Sequence, residues 1–271
     1  MTSTADTTAT GARPVAALDG ADRAPRTGLL NARFLGIELR RLLRNRRTVI
    51  FTLVMPPAFF LIFGTADGYR HQSVGHGNVT AYIMVSMALY GAMLATTGGG
   101  ASVSVERAQG WTRQLRLTPL RPATYVTTKV LVAMVLGLAA VVVVGAVGLG
   151  EGATGEGWTL VASLLLAWVG SVVFAAFGLF MGYLLPAENV MQILGPVLAL
   201  LAFAGGLFVP LGGGLFAQIA KVVPTYGLAQ LVRAPLTGGT VTVWALVNVV
   251  GWAVLFGLGA AWRFRRDTAR V

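Results

Sequence analysis

The chain has 271 residues, of which 55% are hydrophobic and only 11% charged, with a mean hydropathy of +0.72. So little charge cannot cover the surface of a water-soluble domain of this length, which points to an integral membrane protein. Its net charge of +11 is not carried by any visible soluble domain with a basic face, so nucleic acid is set aside as a partner; cysteine is absent, which removes disulfides and thiol chemistry.

Residues 1–28 are small, polar and punctuated by Pro and Gly, with no apolar run of the kind a signal peptide needs, and read as a disordered cytoplasmic tail. Residues 29–47, LLNARFLGIELRRLLRNRR, set Phe34, Ile37, Leu42 and Leu43 among six arginines, the pattern of an amphipathic helix lying on a membrane surface. A helix crossing the hydrocarbon core needs roughly 20 apolar residues. Six stretches meet or approach this length, at about 48–63, 80–105, 125–149, 158–185, 190–209 and 241–262. Pro56 and Pro57 predict a kink in the first. Residues 211–239 are moderately apolar, but Pro224 splits them into halves too short to cross, so they predict two short helices dipping in from the outer face. With the N-terminus inside, 18 of the 21 Lys and Arg fall on the cytoplasmic side and only Arg70, Lys221 and Arg233 outside. Both termini, including the tail 267–271, are therefore expected to be cytoplasmic. The fold class is an all-α integral membrane protein.

The six span cores contain no Asp, Glu, His, Lys or Arg, and Lys129, one turn into span 3, is expected to snorkel to the inner surface. Ion-coupled transport usually needs a carboxylate near the midplane, which weighs against a secondary transporter or channel; the lack of a clustered polar site weighs against a membrane enzyme. Both remain alternatives. His71 and His76 share one outer loop, where a solvated loop is favoured over a metal site. No GxxxxGK[ST] loop is present, and Gly98-Gly99-Gly100 and the Gly178–Gly182 pair read as close helix packing. Met84, Met87, Tyr90 and Phe203 fit either an apolar cavity or helix packing.

Between spans 2 and 3 lies VERAQGWTRQLRLTPLRPATYVTTK, residues 105–129, with four Arg, one Lys, one Glu and one Trp. The helix of span 2 should run on to Glu106 and Arg107. Trp111, Leu115 and Thr118 then share one face of a short helix with Arg113 and Arg116 elsewhere; Pro119 stops it and Thr124 is placed to cap span 3. A plain connector needs neither an aromatic knob nor two prolines. A topology anchor with an interfacial Trp is the alternative.

Glu106-Arg107 with Gly110-Trp111, followed by Leu115 to Leu120, resembles the cytoplasmic coupling helix of type-2 ABC-exporter permeases. The segments Gly205 to Pro210 and Pro224 to Leu228 are similar to the end of span 5 and the outer re-entrant helices of that family. The likeness covers about residues 29–266. Gly227 departs from it, standing where related permeases often have His, and is assigned no binding role.

The resemblance implies a coupling helix over 106–120 and ATPase contacts from Glu106, Arg107, Gly110, Trp111, Arg113 and Arg116. It implies an outer gate shaped by Pro210, Pro224 and Tyr226. It further implies a permease subunit in a bacterial cell membrane, exporting a hydrophobic or amphipathic small molecule such as a drug, antibiotic or lipid. The expected partners are a second permease, identical or not, two separate ATPase subunits that carry the ATP and Mg, and membrane lipid. The chain itself is expected to bind no cofactor or metal and to catalyse no reaction.

Overall fold

A computed structural model describes residues 32–110, 122–209, 211–212 and 214–269. The chain is an all-α membrane protein. Among the described residues, five helices are long and apolar enough to cross a membrane: Val79–Ala108, Ala123–Gly150, Thr159–Leu184, Ala187–Ala204 and Val243–Arg266. The apolar stretch Ile50–Gly64, expected as the first span, is shorter. In chain order the helices are α1 (Ala32–Arg44), α2 (Arg46–Val49), α3 (Met55–Gly64), α4 (Val79–Ala108), α5 (Pro122–Gly150), α6 (Thr159–Gly170), α7 (Val172–Leu184), α8 (Ala187–Ala204), α9 (Leu215–Ala220), α10 (Pro224–Thr237) and α11 (Val243–Ala269). A two-stranded hairpin, Ser73–Val74 with Gly77–Asn78, is the one sheet among the described residues.

The expected kink in the first apolar stretch takes the form of a π-turn, Ile50–Val54, ending in a bond from Met55 N–H to the carbonyl of Ile50. Pro56 and Pro57 follow in the first turn of α3. Neither proline has an N–H to give, so the wide turn falls where the regular ladder would lose donors anyway.

Helix α4 is the axis of the bundle, lined with small residues, and it packs against α3, α5, α7 and α8. Gly99 and Gly100 pack closely as the sequence suggested, whereas Gly98 faces open space. A Cβ on Gly99 would lie 2.5 Å from Ala133 Cβ, and one on Gly100 would lie 2.6 Å from the carbonyl oxygen of Ala175. From the other side, a Cβ on Gly178 would lie 2.2 Å from the carbonyl oxygen of Thr97. Such backbone approach replaces the hydrophobic effect, which does not drive helices together within lipid. Met84, Met87 and Tyr90 are buried in this packing, whereas Phe203 is exposed, so the four do not line one cavity.

The span expected over 158–185 is interrupted at Ser171, between α6 and α7. The hydroxyl of Thr96 donates to the Ser171 carbonyl at 3.1 Å and that of Thr97 to the Phe174 carbonyl at 3.3 Å. Ser171 itself donates to the Trp168 carbonyl at 2.6 Å. Neighbouring hydroxyls thus satisfy backbone at the break, the condition for irregularity inside a membrane span.

Candidate functional site

The charge-bearing end of the bundle is built from three elements that are distant in sequence. Glu38 of α1, Glu106 in the last turn of α4 and Lys129, about two turns into α5, are 5%, 2% and 2% exposed. Lys129 Nζ donates to Glu38 Oε2 at 2.5 Å and also to Glu106 Oε1. Arg41 Nη1 donates to Glu106 Oε1 at 2.9 Å and lies 3.6 Å from Glu38 Oε1. The hydroxyl of Tyr125 donates to Glu106 Oε2. Two carboxylates face two cations, so the cluster is neutral within itself. That balance is what allows four ionised groups to share a site largely withdrawn from water.

The helix of span 2 runs on through Glu106 and Arg107, as expected, and ends at Ala108. This geometry corrects two other expectations. Lys129 does not snorkel to the surface; its ammonium is consumed by two buried carboxylates. Thr124 lies inside α5 rather than ahead of it, and its hydroxyl makes no hydrogen bond among the described residues, so it does not cap the helix.

The exit from α4 follows from local chemistry. Gln109 closes the helix, and Gly110 takes a φ of +76°, with its N–H donating to the Arg107 carbonyl at 3.1 Å. A left-handed residue here turns the chain off the helix axis, and glycine adopts it without a Cβ clash. Arg107 reaches the carbonyls of Gly182 and Tyr183 at 3.4 and 3.2 Å and lies over the Tyr183 ring, binding α4 to the end of α7. Of the expected coupling residues, then, the structure brings Glu106, Arg107 and Gly110 together at the root of the 111–121 segment. Trp111, Arg113 and Arg116 lie outside the described residues.

At the opposite end, α9 and α10 are two short helices separated at Pro224, as the proline suggested. Pro224 is buried in the first turn of α10, where its missing N–H costs nothing. Tyr226 follows it, its hydroxyl accepting from Gln230 Nε2 at 2.7 Å. Pro210 lies outside the described residues. A Cβ on Gly227 would lie 2.5 Å from the carbonyl oxygen of Ala245, so this position has room only for glycine against α11. The hairpin caps this end: His76 N–H donates to the Leu236 carbonyl at 2.8 Å, and Asn78 joins Arg70 and Gly152 through their carbonyls. His76 Nδ1 lies 3.0 Å from Glu156, and no group of three or more metal-ligating side chains occurs among the described residues.

Sequence reasoning missed Arg41, Tyr125 and Lys129 as partners of Glu106, and Glu38 as the second carboxylate on Lys129. The available signal was the near-absence of acids: few carboxylates flank the spans, so each buried cation there has few possible partners.

A multi-helix bundle of apolar spans, with its charge gathered at one end and two short helices folded back at the other, defines a polytopic membrane transport protein. Residues 34–237 match the family model described as ABC-2 type transporter, and the chain belongs to that family. It is also similar to a Bacillus subtilis (strain 168) protein named as a transport permease, YvfS, with 27% identity over 248 residues, covering 86% of this chain and 96% of that one. The chain is thus a transporter permease subunit, of a family that works with ATPase subunits.

Proposed function

We propose that the chain is the membrane-spanning subunit of an ATP-driven exporter in a bacterial cell membrane. It forms half of the pathway for a hydrophobic or amphipathic small molecule and is moved by separate ATPase subunits that dock on the segment following Gly110. A second permease, identical or homologous, completes the pathway. Both termini face the cytoplasm on this reading, because six spans with the N-terminus inside assign 18 of the 21 Lys and Arg to the cytoplasmic side.

The observation that carries the reading is the cluster of the buried Glu38, Glu106 and Lys129 with Arg41 at its exposed edge. A loop that only connects two spans has no need of four paired charges at its root. A lever does, because force applied to it must reach the helices rather than bend the loop. The buried Glu106 transmits, and the contacts to the ATPase fall to Trp111, Arg113 and Arg116. An interface aromatic filling a partner pocket contributes about 2 kcal/mol or more, whereas an exposed charge contributes under about 1 kcal/mol.

Co-expression with candidate ATPase subunits from the same genome, followed by purification, tests this. Trp111→Ala is expected to insert normally yet lose both ATPase binding and export, with Arg113→Ala weaker in the same direction. Unchanged ATPase affinity and export in well-inserted Trp111→Ala protein would end the proposal. ATP turnover by the permease alone, after every ATPase is removed, would end it as well.

A further inference from the structure

At the hairpin end, α10, α9 and the residues after α8 enclose a cleft of about 420 Å3. Two cations line it, Arg233 and Lys221, together with Tyr82, Tyr226, Gln230 and Thr242, and no carboxylate does. Arg233 is fixed within its wall. Its Nε and Nη2 donate to Ser86 Oγ at 2.9 and 2.6 Å, and Nη1 and Nη2 donate to the carbonyls of Gly206 and Leu207, each at 3.0 Å. The guanidinium also lies 4.3 Å from the centre of the Tyr82 ring. Each of these partners is neutral. Lys221 Nζ likewise bonds a neutral group, Gln218 Oε1 at 3.0 Å. Of the acids in the loops at this end, Glu151 pairs with Arg70 and Glu156 with His76, and Asp67 does not line the cleft.

The contrast with the other end is one of charge balance. There, two cations meet two carboxylates; here, two cations meet none. A concave site with low-dielectric walls and uncompensated positive charge concentrates anions. Beside it, Leu215, Phe216, Ile219 and Val222 are exposed, an apolar surface adjoining a cationic recess.

We propose that this cleft binds the anionic headgroup of an amphipathic molecule, a phosphate or carboxylate held by Arg233 and Lys221 with its alkyl part on the apolar face of α9. Four of the five guanidinium N–H donors of Arg233 are spent on its own wall, which leaves its positive charge and one Nη1 N–H for a headgroup and orders the side chain before any ligand arrives. The inference rests on the transport reading only in making such an anion the class of cargo at this end.

The test uses the full-length chain in nonionic maltoside micelles, without any ATPase, so that a failure of coupling and a failure of this site are read separately. Equilibrium dialysis with dodecyl phosphate, corrected against empty micelles, is expected to show one saturable site. Lys221→Gln should weaken it by about tenfold and Arg233→Gln by more, as expected for the loss of charge-assisted bonds. Lys221 is at the surface of the cleft with a single side-chain partner, so Lys221→Gln decides the matter even where Arg233→Gln fails to fold. Dodecanol and dodecylamine should not displace the probe. Displacement by dioleoyl phosphatidic acid would assign the site to a bilayer lipid, and failure to displace would assign it to single-chain cargo; either supports an anionic amphiphile. Equal binding of dodecanol, equal binding of inorganic phosphate, or undiminished binding in Lys221→Gln would overturn the proposal.

Discussion

At one end of the bundle α1, α4 and α5 meet through ionised side chains: Glu38 and Glu106 against Arg41 and Lys129. At the other, the hairpin, the loop 151–156 and the end of α10 meet mainly through backbone. His76 N–H donates to the Leu236 carbonyl, Asn78 N–H to the Thr154 carbonyl at 3.2 Å, and Glu156 N–H to the His76 carbonyl at 2.7 Å. Backbone bonds hold a shape whichever side chains surround them. A buried ionic cluster is conditional, since it is stable only while every member is present and charged. The difference suits the end proposed to receive force, where elements must move as a unit, and the end proposed to shape an exit.

The largest effect should come from breaking the cluster's balance. Lys129→Met leaves Glu38 and Glu106 with Arg41 alone and should cost about 3–5 kcal/mol, the usual penalty for stranding a buried charge. Adding Glu38→Gln restores neutrality around the remaining Arg41–Glu106 pair and should recover much of that loss. Thermal unfolding in detergent measures both. If the double variant is as unstable as the single, the cluster is not held by charge balance.

Next come the contacts that join α4 to α7. Gly178→Val drives a branched side chain into the Thr97 backbone and should cost about 1–3 kcal/mol or more, as overpacking does. Gly98→Ala is its control. No atom lies within 4 Å of a Cβ added at Gly98, and alanine is the better helix former by about 1 kcal/mol, so that variant should be neutral or stabilised. Folded yield after heating separates the two. Equal yields would mean that the seam is looser than the distances state.

These two regions also mark what the sequence makes legible. The seam was visible because small residues spaced along one helix have local periodicity, and Gly178–Gly182 could be read directly. Likewise Pro224 announced the break between α9 and α10, because a missing N–H is a local fact. The cluster was not visible. Glu38 and Lys129 are 91 residues apart, and no local pattern joins a surface helix to the start of a span. Ser171 was hidden for the same reason, since its carbonyl is satisfied by Thr96, 75 residues earlier. Arg233 read as an outer-loop cation because its neutral partners, Ser86, Gly206 and Leu207, carry no charge signal to find.

A smaller effect is expected at Gly75, in the turn of the hairpin. Gly75 has a φ of +57°, and a Cβ there would lie 2.4 Å from the Thr237 carbonyl oxygen. Gly75→Ala should cost about 1–2 kcal/mol from the left-handed backbone alone, plus whatever the displaced Thr237 carbonyl loses. Hydrogen exchange at the His76 amide reports this locally, because that amide is the one bonded to Leu236. Unaltered protection in the variant would show that the hairpin does not depend on this turn.

The smallest effect should belong to the ion pair at the same end. Arg70 Nη2 lies 2.8 Å from Glu151 Oε2, a distance comparable to those inside the buried cluster. Distance alone would therefore rank the two together. Exposure separates them: the side chains of Arg70 and Glu151 are 51% and 36% exposed, so water screens the attraction and both groups are well solvated when apart. A double-mutant cycle with Arg70→Ala and Glu151→Ala should give a coupling under about 1 kcal/mol that shrinks as salt is raised. The corresponding cycle on Glu38 and Lys129 should be several times larger and nearly indifferent to salt, because no solvent lies between those groups. Equal couplings in the two cycles, or equal salt dependence, would show that burial does not distinguish the ends, and the mechanical role assigned to the cluster would lose its footing.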